Sequence, residues 1–199
     1  HYPSQIGSCK ASMNRLLLVA FLGIGMMATS LANAQEKVRV YFGTYTGKES
    51  KGIYQAELNL KDGSLSEPTL AGETSSPSFL AFHPNKKFLY AVNEDKAAVS
   101  AFSIDAKSGN LTYLSTQLTQ GDAPCHVIVD PTGKNVMVAN YTGGSCICFP
   151  VDDDGKLGKV SSFQQHVGPK KHGHSIHVDK ANKFALCCDL GLDQVIIYA

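Results

Sequence analysis

The 199-residue chain carries 18 lysines and arginines against 17 aspartates and glutamates, with 43% hydrophobic residues and no tryptophan. So even a balance supplies no basic field for nucleic acid or an anionic membrane surface, and neither is an expected partner. The length suits one core of ordinary domain size.

The first predicted element is a targeting segment. Met13-Asn14-Arg15 opens it with a positive charge, Leu16 to Leu31 is apolar, and Ala32-Asn33-Ala34 places small residues before Gln35. That order predicts a secretory signal peptide over 13–34, cleaved after Ala34. It implies a periplasmic or secreted protein with no stable membrane association after cleavage. A retained membrane anchor is the competing reading of the apolar run. Residues 1–12, upstream of Met13, are read as an extension that is not native. Residues 35–199 are read as the N-terminal part of a single domain.

Beyond residue 35 one pattern is written three times. It runs Ser78 to Asn93 (SFLAFHPNKKFLYAVN), Cys125 to Asn140 (CHVIVDPTGKNVMVAN) and His174 to Asp189 (HSIHVDKANKFALCCD). The starts lie 47 and 49 residues apart (125 − 78 and 174 − 125). Each copy has a short apolar run, a polar turn and a second apolar run. An alternating third run follows (Val99 to Ile104 in the first copy), then a Gly turn and a more polar fourth run. Short runs bounded by Pro, Gly, Asn and Asp are strands, and no apolar stripe of helical period appears. Four antiparallel strands per unit of this length predict an all-β fold, a β-propeller with one blade per unit. Val38 to Thr44 aligns with Lys87 to Asn93, which makes the first blade one strand short. Gln194 to Ala199 falls within a third strand. About three and a half blades are therefore expected, an incomplete propeller whose remaining C-terminal blades belong to the same chain.

Six cysteines raise the possibility of a disulfide framework. Cys9 precedes the leader, so an odd number remains. Cys146 and Cys148 share one face of a strand, and Cys187 and Cys188 point to opposite faces. Because the other repeats place Val, Ala or Phe there, small apolar packing is the expected role, with disulfides or metal ligation as alternatives.

In a propeller the first strand of each blade lines the central channel. Its start and the end of the second strand open on one face. That register converges Ser78, His126, His174 and Ser175 with Asn140 and Asp189 on a polar funnel, where binding residues are expected. The densest stretch is Gly168-Pro-Lys-Lys-His-Gly-His-Ser-Ile-His177. His174 suits acid–base work near neutral pH; structural hydrogen bonding and metal ligation, paired with His172, are the other readings. Lys170 and Lys171 are either solvated loop residues or a clamp for an anionic substrate group.

Several strings carry a resemblance: Tyr41-Phe-Gly-Thr-Tyr-Thr-Gly47, Ser76 to Pro84, Leu89 to Glu94, Ala123-Pro-Cys-His-Val127, Val138 to Ser145, His172-Gly-His-Ser-Ile176 and Asp189-Leu-Gly-Leu-Asp193. Over 38–199 the chain resembles the seven-bladed propeller lactonase family, which includes bacterial propeller-type 6-phosphogluconolactonases and the fungal carboxy-muconate lactonizing enzyme. The resemblance implies hydrolysis of a sugar lactone without metal or organic cofactor. It makes His174 the acid–base residue, with the family's Arg and Glu on a later blade. His126 is then a supporting donor. His172, Ser175, Ser78, Asn140, Asp189, Lys170 and Lys171 are substrate-binding candidates. A non-catalytic binding propeller and a lactonizing cycloisomerase are the alternatives.

Overall fold

The computed structural model describes residues 36–199. The expected leader over 13–34, its cleavage after Ala34 and the extension over 1–12 lie outside the described residues.

Fourteen strands form four antiparallel sheets in chain order. The first sheet holds β1 (Lys37–Phe42), β2 (Gly52–Asn59) and β3 (Thr69–Glu73). The second holds β4 (Leu80–Phe82), β5 (Phe88–Asn93), β6 (Ala98–Ile104) and β7 (Leu111–Leu118). The third holds β8 (Pro124–Val129), β9 (Asn135–Asn140), β10 (Ser145–Pro150) and β11 (Ser162–Gln165). The fourth holds β12 (Gly173–Val178), β13 (Ala185–Asp189) and β14 (Gln194–Tyr198). Three, four, four and three strands are the three and a half blades read from the repeat. Helical structure among the described residues is one turn of 3-10 helix, Glu94–Lys96.

The turns explain why the strands stop where they do. Asp130 and Asp179 each accept the backbone N–H groups of the residues four and five positions on, closing the hairpins between the first and second strands of their blades. Between third and fourth strands, Asp105 accepts the N–H groups of Lys107 and Ser108, and Asp152 those of Asp154 and Lys156. An aspartate bonding its own following backbone mimics a turn and needs no tertiary help. Gly155 sits at φ +81°, where a side chain would be strained, and a Cβ there would lie 2.4 Å from the Phe88 ring. Its carbonyl accepts a bond from the Tyr90 hydroxyl at 3.0 Å, tying the second sheet to the third.

The core lies between sheets. Ile53, Leu89, Ala91 and Phe102 fill the first junction. Tyr90, Val99, Val127, Val138 and Phe149, all 0–1% exposed, belong to the second. Ala139, Cys146, Ile176 and Cys187 fill the third. Each fully buried large apolar side chain contributes about 1.5–3 kcal/mol. The first strands of successive blades stand side by side, β4 against β8 and β8 against β12. That places their starting residues at one end of a shared wall.

Candidate active site

The starts of β4, β8 and β12 carry Ser78, Cys125 and His174. In β8 and β12 the pairing with the second strand slips, so that Cys125 and His174 are bulge residues. A bulge re-aims its side chain and often marks a site. The Cys125 thiol faces the His174 carbonyl at 3.4 Å and the Gly173 carbonyl at 3.5 Å, holding the two bulges together. Burial, helped by the nearby Glu94 charge, pushes that thiol up to about 11. It stays protonated at neutral pH, which suits a positioning donor and not a nucleophile.

Glu94, Tyr141 and Leu190, just past β5, β9 and β13, and Tyr45 at the matched phase after β1 complete the mouth. The Tyr45 hydroxyl donates to Glu94 Oε2 at 2.9 Å, and Ser78 Oγ donates to the same oxygen at 2.6 Å. Tyr141 stacks on the His172 ring, with centroids 4.5 Å apart and planes 10° from parallel, and meets the His174 ring edge-on at 5.6 Å. His172 Nδ1 lies 3.2 Å from the Tyr141 carbonyl, to which it donates. His174 is exposed beside it.

One step down the wall, His126 lies between Phe79 and His177, with ring centroids 4.4 and 5.0 Å away. Its Nδ1 accepts the Ile176 N–H at 3.3 Å, leaving Nε2–H as a donor. Burial first, then repulsion from His177 and His174, lowers its pKa to about 4, so the ring is neutral in ordinary buffers. Lys170 is exposed and Lys171 half-buried, its stem passing over Gly144. Among the described residues neither forms an ion pair.

Asn140 and Asp189 point away from the mouth. Asn140 is 0% exposed and donates to the Thr119 carbonyl and Ser145 Oγ. Asp189 is 2% exposed; its Oδ1 accepts the backbone N–H groups of His172, Gly191 and Leu192, and its Oδ2 meets His166 Nδ1 at 2.5 Å. Burial works to raise the Asp189 pKa, but these bonds from His172, His166 and Leu192 outweigh it and hold the carboxyl below its ordinary value. Asn93 repeats the arrangement, donating to Thr74 Oγ1 and the Ser75 carbonyl. The last residue of the second strand in the second, third and fourth blades is thus a clasp onto the connector from the preceding blade.

The structure therefore brings Ser78, His126, His172, His174 and Ser175 to one end of the wall and commits the side chains of Asn140 and Asp189 to the frame. Beside His174 and Ser175 lies a depression of about 360 Å³ whose remaining lining comes from the fourth sheet and its turn, among them Cys188, Leu190, Asp193 and Val195. The repeat phase gave no role to Glu94 or Tyr141 at this mouth. It had not singled out Tyr45, although Tyr45 follows Thr44 as Glu94 follows Asn93 and Tyr141 follows Asn140.

Successive antiparallel blades around a polar, histidine-bearing wall define an enzyme-like β-propeller architecture. Residues 39–199 match the family described as lactonase, 7-bladed β-propeller, and the chain belongs to it. It is 37% identical over 167 residues to a 6-phosphogluconolactonase of Bacillus subtilis, covering 79% of this chain and 48% of that protein. A 6-phosphogluconolactonase of Formosa agariphila is 33% identical over 172 residues, covering 78% and 48%. The solved periplasmic gluconolactonase PpgL of Pseudomonas aeruginosa superposes with a TM-score of 0.75 at 30% identity, covering 81% of this chain and 50% of that one. The chain spans about half the length of these relatives.

Proposed function

We propose that the full-length protein hydrolyses sugar lactones of the 6-phosphogluconolactone type, and that the residues of this half supply the base and the substrate's seat. The observation that carries the proposal is the pair of bulges, which set His174 at the channel mouth beside the ring-locked His172 and above the neutral His126.

The chemistry follows from those groups. His174 takes a proton from a water as its oxygen attacks the lactone carbonyl carbon. The carbonyl oxygen gains charge and is met by donors, among them the Nε2–H of His126 and the Ser175 hydroxyl. The ring C–O bond then breaks, and the departing ring oxygen recovers the proton from His174. Lys170 and Lys171, on the loop leading into this strand, suit a phosphate on the substrate. Ser78, held by Glu94, suits a sugar hydroxyl. Asn140 and Asp189 act through the frame that fixes Tyr141 and His172.

Export completes the proposal. The leader-like segment over 13–34 and the periplasmic relative both support a periplasmic enzyme, which would meet aldonolactones there. The deciding experiment is a comparison of full-length protein on 6-phosphoglucono-δ-lactone and on glucono-δ-lactone, with cell fractionation. Turnover of either supports hydrolysis, and a kcat/KM ratio above ten for the phosphorylated substrate that Lys170→Ala/Lys171→Ala abolishes supports the clamp. Turnover of neither, with tight binding of a glycan or protein instead, would favour a binding propeller.

A further inference from the structure

Away from the mouth, three buried side chains meet at the junction of the third and fourth sheets. Cys146 on β10, Cys187 on β13 and His166 just after β11 are 4%, 0% and 2% exposed. Their sulfur and nitrogen atoms all lie within 4.8 Å of one another. His166 Nδ1 is occupied by Asp189, yet its Nε2 is buried with no hydrogen-bond partner. A buried imidazole nitrogen left unpaired costs free energy, and a protein interior rarely tolerates one without a reason. We propose that Cys146, Cys187 and His166 bind a zinc ion that clamps the third blade to the fourth.

The repeat provides an internal control. The registers pair Asn93 with Ala98, Asn140 with Ser145 and Asp189 with Gln194, which fixes equivalent positions. One residue after Ala98 is Val99, and one after Ser145 is Cys146. Two residues before Asn140 is Val138, and two before Asp189 is Cys187. Thr119 and His166 each follow their fourth strand directly. The second junction thus presents Val99, Val138, Thr119 and Asn140 where the third presents Cys146, Cys187, His166 and Asp189. The first junction has Ile53, Ala91, Thr74 and Asn93. Four positions that are apolar or neutral in two junctions become two thiols, an imidazole and a carboxylate in the third. Small apolar packing explains a single cysteine but not this joint replacement.

The chemistry of the set fits zinc. Tetrahedral zinc takes thiolate sulfur at about 2.3 Å and imidazole nitrogen at about 2.0 Å, so its ligand atoms stand about 3.5–3.8 Å apart. With all three atoms within 4.8 Å of one another, the cluster reaches that by a contraction of at most about 1.3 Å (4.8 − 3.5). Binding expels the two thiol protons, and two thiolates then neutralise a divalent cation inside the core. A monovalent soft ion would leave a buried negative charge. Asp189 holds the far nitrogen of His166, the carboxylate–histidine arrangement that orients a metal-binding imidazole. Of the three, Cys146 lines a cleft of about 250 Å³ together with Met137, Ile176 and Tyr198, and a water entering from that side is the proposed fourth ligand.

The test uses full-length protein, reduced and freed of metal by a chelator, then titrated with Co(II) and Zn(II). The expected result is one equivalent bound, a thiolate-to-cobalt charge-transfer band, and displacement of cobalt by zinc. Cys146→Val/Cys187→Val installs the residues that the second junction uses at the same positions. It should remain folded and lose at least 100-fold in metal affinity. X-ray absorption at the zinc edge of the wild-type protein should show two sulfur neighbours, a readout that does not depend on any variant folding. A reduced wild-type protein without the cobalt band, a zinc shell of nitrogen and oxygen alone, or a band unchanged in the double variant would each overturn the proposal.

Discussion

The second and third blade junctions are built on the same register and joined by different chemistry. Between the second and third sheets, Tyr90, Val99, Val138 and Phe149 form an apolar seam, and Asn140 clasps the connector through neutral hydrogen bonds. Between the third and fourth sheets the buried apolar residues are smaller, and the clasp is the Asp189–His166 pair beside two thiols. The difference teaches that the propeller repeat constrains strand pairing and turn chemistry tightly while leaving the contents of each seam free. A blade interface is therefore a place where a new binding site can arise without disturbing the frame.

The largest effect should come from breaking the charged clasp. Asp189→Ala strands His166 Nδ1 and three backbone N–H groups; at about 1–3 kcal/mol for each buried donor left unpaired, full-length protein should lose at least about 3 kcal/mol in denaturant unfolding. Asn140→Ala, the same position one blade earlier, should cost about 1–3 kcal/mol. Equal losses would show that the extra hydrogen bonds of the Asp189 carboxylate are irrelevant. Next in size is the pH response. Because the folded pKa of Asp189 is depressed, its contribution is present above the unfolded carboxylate pKa and is lost as pH falls through the folded value. Acid should therefore destabilise the wild-type protein more than Asp189→Asn, and parallel stability curves would contradict this. Smallest, in metal-free protein, Cys146→Val/Cys187→Val should change stability by less than about 1.5 kcal/mol, as near-isosteric core swaps do. Added zinc should then raise the melting temperature of the wild type alone.

A related contrast separates interior from terminal sheets. Val99 on β6 is 0% exposed, whereas its equivalent Val195 on β14 is 56% exposed and Ile197 beside it 62%. Apolar surface of that kind favours association. Residues 35–199 expressed alone should aggregate, and a monodisperse preparation with a single sharp melting transition would contradict the expectation.

Much of the frame was legible in the sequence because repeat phase and turn residues act locally. Asp130-Pro-Thr-Gly and Asp152-Asp-Asp-Gly mark hairpins before any tertiary contact is known, and the spacing of Ser78, Cys125 and His174 predicts the shared wall. What was not legible turns on one-residue distinctions. At the end of each second strand, phase alone cannot say whether Asn140 or Tyr141 faces the mouth, since adjacent side chains take opposite faces. The structure turns Asn140 inward and Tyr141 outward. The Cys146–His166–Cys187 cluster was hidden for a different reason. Its members lie 20 and 21 residues apart (166 − 146 and 187 − 166) on separate elements, with none of the short spacings that announce a metal motif.

The central claim is that residues at matched repeat phases meet at one channel mouth to form a hydrolytic site around His174. Its most direct test is the steady-state kinetics of full-length His174→Ala on the preferred lactone, with unchanged melting temperature as the folding control. Loss of a positioned base should lower kcat by about 10²–10⁴-fold with KM little altered. A folded variant that retains kcat within twofold of wild type would contradict the account.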